Sequence, residues 1–297
     1  MTEAERPSPT SIMGPKVLLM GPSGTGKTHS LGTLVEWADA NRYEVFCLFT
    51  ENGLESLLGY WTDPLPRGKG LTFDKIPACL HWHSALTKPL ALKDLLSGSE
   101  AIARMSYEML TKTIDSNRSQ NNAFFKLLTA MQDFPDDRTG KKFGAVDDWK
   151  KEDRRIFVMD GLSEFANAIV KAVIGNKPTM APPEYGTAQI NLMNYLRLMT
   201  QGMASTFVLL AHVDRQTEEL TGASKIMLRT IGKALAADVP QLFSDVLYSV
   251  REGDKWHWDT AAANVDIKTR SLPIQAKNPQ DFRPIMDLWL RRQGNER

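Results

Sequence analysis

Cysteine is scarce: Cys47 and Cys79 are the only two in 297 residues. Two thiols do not build a disulfide framework, so a reducing compartment, the cytoplasm, is the expected setting. Long apolar runs are missing as well. None approaches the roughly 18 residues that span a bilayer, and no membrane association is expected. Met1 to Thr10 is acidic and proline-bearing, without the basic stretch and apolar run of a signal peptide. Excess charge of either sign is absent too, because 36 lysines and arginines face 35 aspartates and glutamates, for a formal net charge of +1. The global field therefore neither demands nor excludes a nucleic-acid partner, which would need a local basic patch. No internal repeat is present to indicate a solenoid.

What remains is a globular composition, 42% hydrophobic and 24% charged, whose apolar residues come in short runs. Lys16–Met20 ends at a glycine-rich turn, as a buried parallel strand should. Residues 27–41 read as a helix and Glu44–Thr50 as a second buried strand. Arg155–Asp160 and Thr206–Ala211 are further apolar strands, ending at Asp160 and His212. Between 186 and 203, Ile190, Met193, Tyr195, Leu196 and Met199 recur at helical spacing. The polar segment 213–238 predicts loop and helix. Asp245–Val250 and Trp256–Asp259 flank Arg251–Lys255 as a hairpin, and Val265–Thr269 reads as a last strand. Strands alternating with helices predict an α/β fold with a mostly parallel sheet flanked by helices. The expected organisation is a flexible leader (1–13), one domain (14–275) and a C-terminal tail (276–297). Residues 60–152, with Pro/Gly punctuation and helical patterning over 99–132, read as an insertion within that domain.

The chemistry concentrates in Gly21-Pro22-Ser23-Gly24-Thr25-Gly26-Lys27-Thr28, which satisfies G-x-x-x-x-G-K-[ST] in full. Glycines let the backbone wrap phosphates, and the amides point inward at a helix N-terminus, where the dipole favours anions. Lys27 would reach the β- and γ-phosphates, the Thr28 hydroxyl would ligate Mg²⁺, and His29 would extend the nucleotide contact. Asp160, ending an apolar strand, would hold Mg²⁺ beside that loop; alone, it would read equally as a helix N-cap. Glu51 ends the strand after the loop's helix, where a carboxylate would deprotonate the attacking water. AAA+ ATPases usually place this glutamate directly after the strand-ending aspartate, where this chain has Gly161. His212 is placed to sense the γ-phosphate, or to serve a structural role.

Three further groups leave two readings open. Lys268 and Arg270 either reach a neighbouring subunit's γ-phosphate or form a solvated strand end. Lys225, Arg229 and Lys233 either grip the phosphates of a nucleic-acid strand or form a charged surface balanced by Asp214, Glu218 and Glu219. Cys79, His81 and His83 would share one strand face, but C-x-H-x-H is not a usual zinc spacing and a fourth ligand is not evident.

In their order along the chain, the Gly21–Thr28 loop, Glu51, Asp160 and the polar residue after Thr206–Ala211 resemble the RecA-like ATPases, although RecA itself commonly has a glutamine where His212 stands. The phrases TENGLESLLGY, VMDGLSEF, EYGTAQINLMNYLRLM and LLAHVDRQTEELTG resemble more closely the phage-encoded RecA-like nucleotide-binding proteins, some of them implicated in single-strand annealing. The likeness covers most of residues 14–275. It implies a RecA-type fold and Mg²⁺-dependent ATP hydrolysis at subunit interfaces of a homo-oligomeric ring or filament. It also implies work in recombination, replication or repair in the host cytoplasm. Single-stranded DNA and a phage single-strand-binding or annealing protein are the implied partners. The rival expectations are a nucleotide-dependent scaffold without DNA binding, and a helicase- or packaging-type motor.

Overall fold

The computed structural model describes residues 12–86, 92–104, 106, 123–175, 179–217 and 224–293. Most of the expected leader, the acids Glu218 and Glu219, and part of the helical patterning over 99–132 lie outside the described residues.

Nine strands and eight helices of α type are present among these residues. In chain order the strands are β1 (Lys16–Met20), β2 (Glu44–Phe49), β3 (Leu80–Ser84), β4 (Arg155–Asp160), β5 (Thr206–Ala211), β6 (Val213–Thr217), β7 (Ser224–Leu228), β8 (Asp245–Glu252) and β9 (Lys255–Asp259). The helices are α1 (Lys27–Asn41), α2 (Leu54–Thr62), α3 (Leu92–Ala103), α4 (Ala123–Gln132), α5 (Leu162–Ile174), α6 (Pro182–Arg197), α7 (Gly232–Asp238) and α8 (Arg283–Arg292). Seven strands form one sheet in the order β3-β2-β4-β5-β1-β8-β9; all its pairings are parallel except β8–β9.

Strand alternation sorts the apolar side chains to two faces. Val17 and Leu19 of β1 join Val45, Cys47, Val158 and Leu210 beneath α1, α2 and α8. Leu18 and Met20 join Phe46, Phe157, Met159 and Phe207 beneath α4, α5, α6 and α7. A parallel sheet buried on both faces needs the near-continuous apolar runs that these strands carry. Tight packing sits at Gly32 of α1, where an added Cβ would overlap the Tyr60 ring of α2.

The structure departs from the sequence expectations in four places. The stretch 60–152 is not only inserted material: it supplies β3, which pairs in parallel with β2 at the sheet edge. Asp136 and Asp137 clasp that edge, accepting hydrogen bonds from the Trp82 and Ser84 amides at 3.3 and 2.8 Å. The expected loop and helix over 213–238 begins as an antiparallel hairpin, β6–β7, in which Val213 pairs with Leu228 and β7 buries Ile226 and Leu228. Val265–Thr269 makes only isolated bridges, Val265 with Ile226 and Lys268 with Val246. Finally, 276–297 is not simply a tail. Its helix α8 buries Ile285, Met286 and Trp289 against the α1 layer. No helix among the described residues is long and apolar enough to cross a membrane.

Candidate functional site

The C-terminal ends of β1, β2, β4 and β5 converge on a cavity of about 630 Å³. Its floor is the Gly21–Thr28 loop, which connects β1 to α1. Gly24 and Gly26 take φ of 76° and 80°, a left-handed backbone suited to glycine. Gly26 is the N-cap of α1 and offers no side-chain hydrogen bond to the helix, whose first turn also carries no acid. The first amides of α1 are thus left without a side-chain cap at the positive end of the helix dipole. The loop is braced from behind: the Thr25 carbonyl accepts hydrogen bonds from Ser249 Oγ (2.8 Å) and Gln280 Nε2 (2.9 Å).

Lys27 is folded back, its Nζ donating to the carbonyls of Gly21 (2.9 Å) and Pro22 (2.8 Å). Burial lowers its pKa to about 8, against the opposing pull of Asp160 and Glu51. Thr28 Oγ1 donates to Asp160 Oδ2 at 2.7 Å. Asp160 is 6% exposed; burial raises its pKa to about 6, Glu51 adds to the rise, and Thr28 and Lys27 oppose it. The Thr50 hydroxyl ties the ends of β2 and β4 together by donating to the carbonyls of Asp160 (3.1 Å) and Gly161 (2.7 Å). Gly161 (φ 118°) lets Thr50 and Glu51 approach this closely, since a Cβ there would collide with both.

Glu51 and His212 meet across the site, Oε2 to Nε2 at 2.9 Å. That hydrogen bond is the main reason the Glu51 carboxyl sits below the usual carboxylate range; burial opposes the shift. Glu51 Oε1 is buried and has no hydrogen-bond partner among the described residues. A buried acceptor left open costs free energy that a ligand or ordered water would recover.

Lys27, Thr28, Asp160, Glu51 and His212 are therefore gathered at one sheet edge, with Ser23, Gly24, Thr25, Gly26 and His29 lining the same cavity. Gly21 and Pro22 begin the loop and supply the carbonyls that hold Lys27. Lys268 and Arg270 are not brought there. They stand beside Asp245, the first residue of β8, at the opposite end of the sheet, and line a separate cavity of about 460 Å³ with Lys16. The Asp245 carboxylate accepts from the Arg270 and Ser271 amides at 2.9 and 3.1 Å, which fixes this loop where it is. Lys225 on β7 pairs with Asp266 at 3.0 Å, Arg229 with Asp214 at 3.6 Å, and Lys233 lies on α7. His81 Nδ1 and His83 Nδ1 are engaged by Asp136 (3.0 Å) and Asp137 (2.8 Å). Among the described residues no cluster of three or more His, Cys, Asp or Glu side chains is arranged to hold a metal ion.

Several cavity residues carry no motif and escape sequence reading: Trp256, Gln280, Asp63, Pro66 and Arg67 also line it. Trp256 Nε1 donates to the Gly24 carbonyl at 3.3 Å. The one available signal is the alternation of Trp256 with Trp258 on the second strand of the hairpin, which sets both on the α1 side of the sheet. The chain matches no family model and no curated protein.

Proposed function

We propose that the chain is an ATP-binding, Mg²⁺-dependent ATPase of the RecA-like kind. One observation carries this reading: Lys27, Thr28, Asp160, Glu51 and His212, drawn from three strand ends and a helix N-terminus, face one cavity in which Glu51 Oε1 is buried and, among the described residues, unpaired. The uncapped start of α1 fits a phosphate, and the Thr28 hydroxyl with the Asp160 carboxylate fits a hydrated Mg²⁺ ion. Bound there, the ion would supply neutralisation of the charge on the β- and γ-phosphates.

The chain's own groups do the rest. Lys27 exchanges the carbonyls of Gly21 and Pro22 for phosphate oxygens. The ligand's negative charge favours the ammonium form against the burial that lowers its pKa. Glu51 Oε1 accepts a proton from the attacking water, while His212 fixes the carboxylate through Oε2. Glu51→Gln keeps the shape and loses the base. Nucleotide binding should persist while turnover falls by about 100-fold or more, within the range of general-base catalysis. Normal turnover by Glu51→Gln removes the assignment.

From the resemblance drawn in the sequence we further propose coupling to single-stranded DNA in recombination, replication or repair. The β6–β7 hairpin supports this, since β6 starts directly after His212, and the Arg229 amide donates to the His212 carbonyl at 2.9 Å. Lys225 and Arg229 would then exchange Asp266 and Asp214 for DNA phosphates. ATPase activity stimulated by single-stranded DNA, and losing that stimulation in Lys225→Ala/Arg229→Ala, is the expected result. Turnover indifferent to DNA favours a nucleotide-dependent scaffold instead, and strand displacement would favour a motor.

A further inference from the structure

We propose that Trp256 is the platform on which the base of the bound nucleotide stacks, an inference that rests on the nucleotide-binding reading of the Gly21–Thr28 loop. Seven tryptophans are present, and six are core residues no more than 7% exposed. Trp256 is 39% exposed. Of the seven indoles, folding thus leaves this one open, at the rim of the cavity that holds the phosphate-binding candidates.

Its position follows from strand geometry. β9 runs antiparallel to β8, so its first residues lie at the sheet edge where the Gly21–Thr28 loop also lies. Trp256 and Trp258 share a face. Trp258 is buried against Phe282, with ring centroids 4.9 Å apart. Trp256, two residues nearer the edge, therefore overhangs the loop that starts α1. Its pyrrole edge lies against the backbone there: a Cβ added to Gly26 would meet Trp256 Cδ1 at 3.3 Å, and the indole N–H donates to the Gly24 carbonyl. The Arg251 guanidinium stands over the ring, 5.4 Å from its centroid, and donates from Nε to the Gly253 carbonyl. Among the described residues no aromatic ring packs on Trp256. The ring is thus backed by a cation, engaged by no other aromatic ring among the described residues, and set on the cavity wall.

The chemical class follows. A phosphate held by the loop carries its nucleoside outward along the cavity, whose wall includes Ser56, Asp63, Pro66 and Arg67. Indole stacks on a planar heterocycle through dispersion and desolvation, and base–aromatic stacking tolerates any base. The ring therefore selects nucleotides over bare polyphosphate, and confers affinity more than discrimination among bases.

The test compares ATP with inorganic tripolyphosphate, each with Mg²⁺, by calorimetry on wild type, Trp256→Ala and Trp256→Phe, with thermal melts to confirm folding. Trp256→Ala should weaken ATP binding about tenfold or more and leave tripolyphosphate within about twofold. Trp256→Phe, which keeps a ring but no N–H donor, should recover most of the ATP affinity. ATP should also perturb tryptophan emission in wild type but not in Trp256→Phe. Equal losses for ATP and tripolyphosphate in Trp256→Ala would mean that the indole only braces Gly24, and would overturn the inference. So would a Trp256→Phe variant as weak as Trp256→Ala, or wild-type protein that binds the two ligands equally. Wild-type protein that binds neither ligand overturns the nucleotide-binding reading itself, and this inference with it.

Discussion

Lys16 offers a quantitative test of how this core treats charge. It opens β1, is 6% exposed, and its Nζ donates to the carbonyls of Met203 and Ser205. Burial lowers its pKa from the ordinary 10.5 to about 7. No carboxylate pairs with this ammonium among the described residues, so neutralisation relieves the burial cost. The sign follows from proton counting. Between about pH 7 and 10.5 the unfolded chain holds a proton on Lys16 that the folded chain lacks, so stability rises with pH across that window. Below about pH 7 the full cost is present. One proton corresponds to about 1.4 kcal/mol per pH unit, and on the order of 4 kcal/mol accumulates from pH 7 to 10.

Lys16→Met keeps the length of the side chain and removes the titration. At pH 7 its net effect on stability is smaller than the burial cost, because two carbonyls lose their donor at about 1–3 kcal/mol each. The pH slope is free of that complication. Urea unfolding of wild type and variant, measured from pH 7 to 10, should give a stability difference that shifts toward wild type by about 1.4 kcal/mol per unit. All other titrating groups are common to both proteins. Parallel pH profiles for the two would refute the buried-ammonium reasoning.

Two further outcomes follow from the packing and the site. Gly32→Ala should destabilise by about 1–3 kcal/mol in thermal or urea unfolding, because overlap with Tyr60 outweighs the ~0.5–1 kcal/mol that alanine brings to a helix. A variant more stable than wild type would show that α2 moves aside freely. His212→Ala removes the hydrogen bond that chiefly lowers the Glu51 pKa, so this carboxyl should protonate at higher pH. The acidic limb of the kcat/KM profile should move upward with it; an unmoved limb would separate Glu51 from that limb.

The site was more legible in the sequence than the periphery, for physical reasons. Phosphate-binding loops impose glycines at fixed offsets, and buried parallel strands impose apolar runs, so Lys16–Met20, Arg155–Asp160 and Thr206–Ala211 stand out with their true limits. The meeting of Glu51 with His212 needed topology, because β4 lies between β2 and β5 and no sequence spacing reports that order. The alternation of Cys79, His81 and His83 suits a strand, but the place of β3 at the sheet edge is not legible, because Leu80–Ser84 carries two histidines whose partners Asp136 and Asp137 lie more than fifty residues away. α8 was hidden because charged residues dilute its sequence, while Ile285, Met286 and Trp289 do the packing. Val265–Thr269 reads as a strand but forms only two isolated bridges, Val265 with Ile226 and Lys268 with Val246, because its pairing partners lie on two different strands that no local pattern reports.

The most direct test of nucleotide binding at Gly21–Thr28 is calorimetric titration of Mg-ATP into wild type and Lys27→Ala. Wild type should saturate with one nucleotide per chain, and Lys27→Ala should bind about 100-fold more weakly or not at all, through loss of charge-assisted hydrogen bonds to phosphate. Equal affinity in the two proteins, or no binding by wild type, would contradict it.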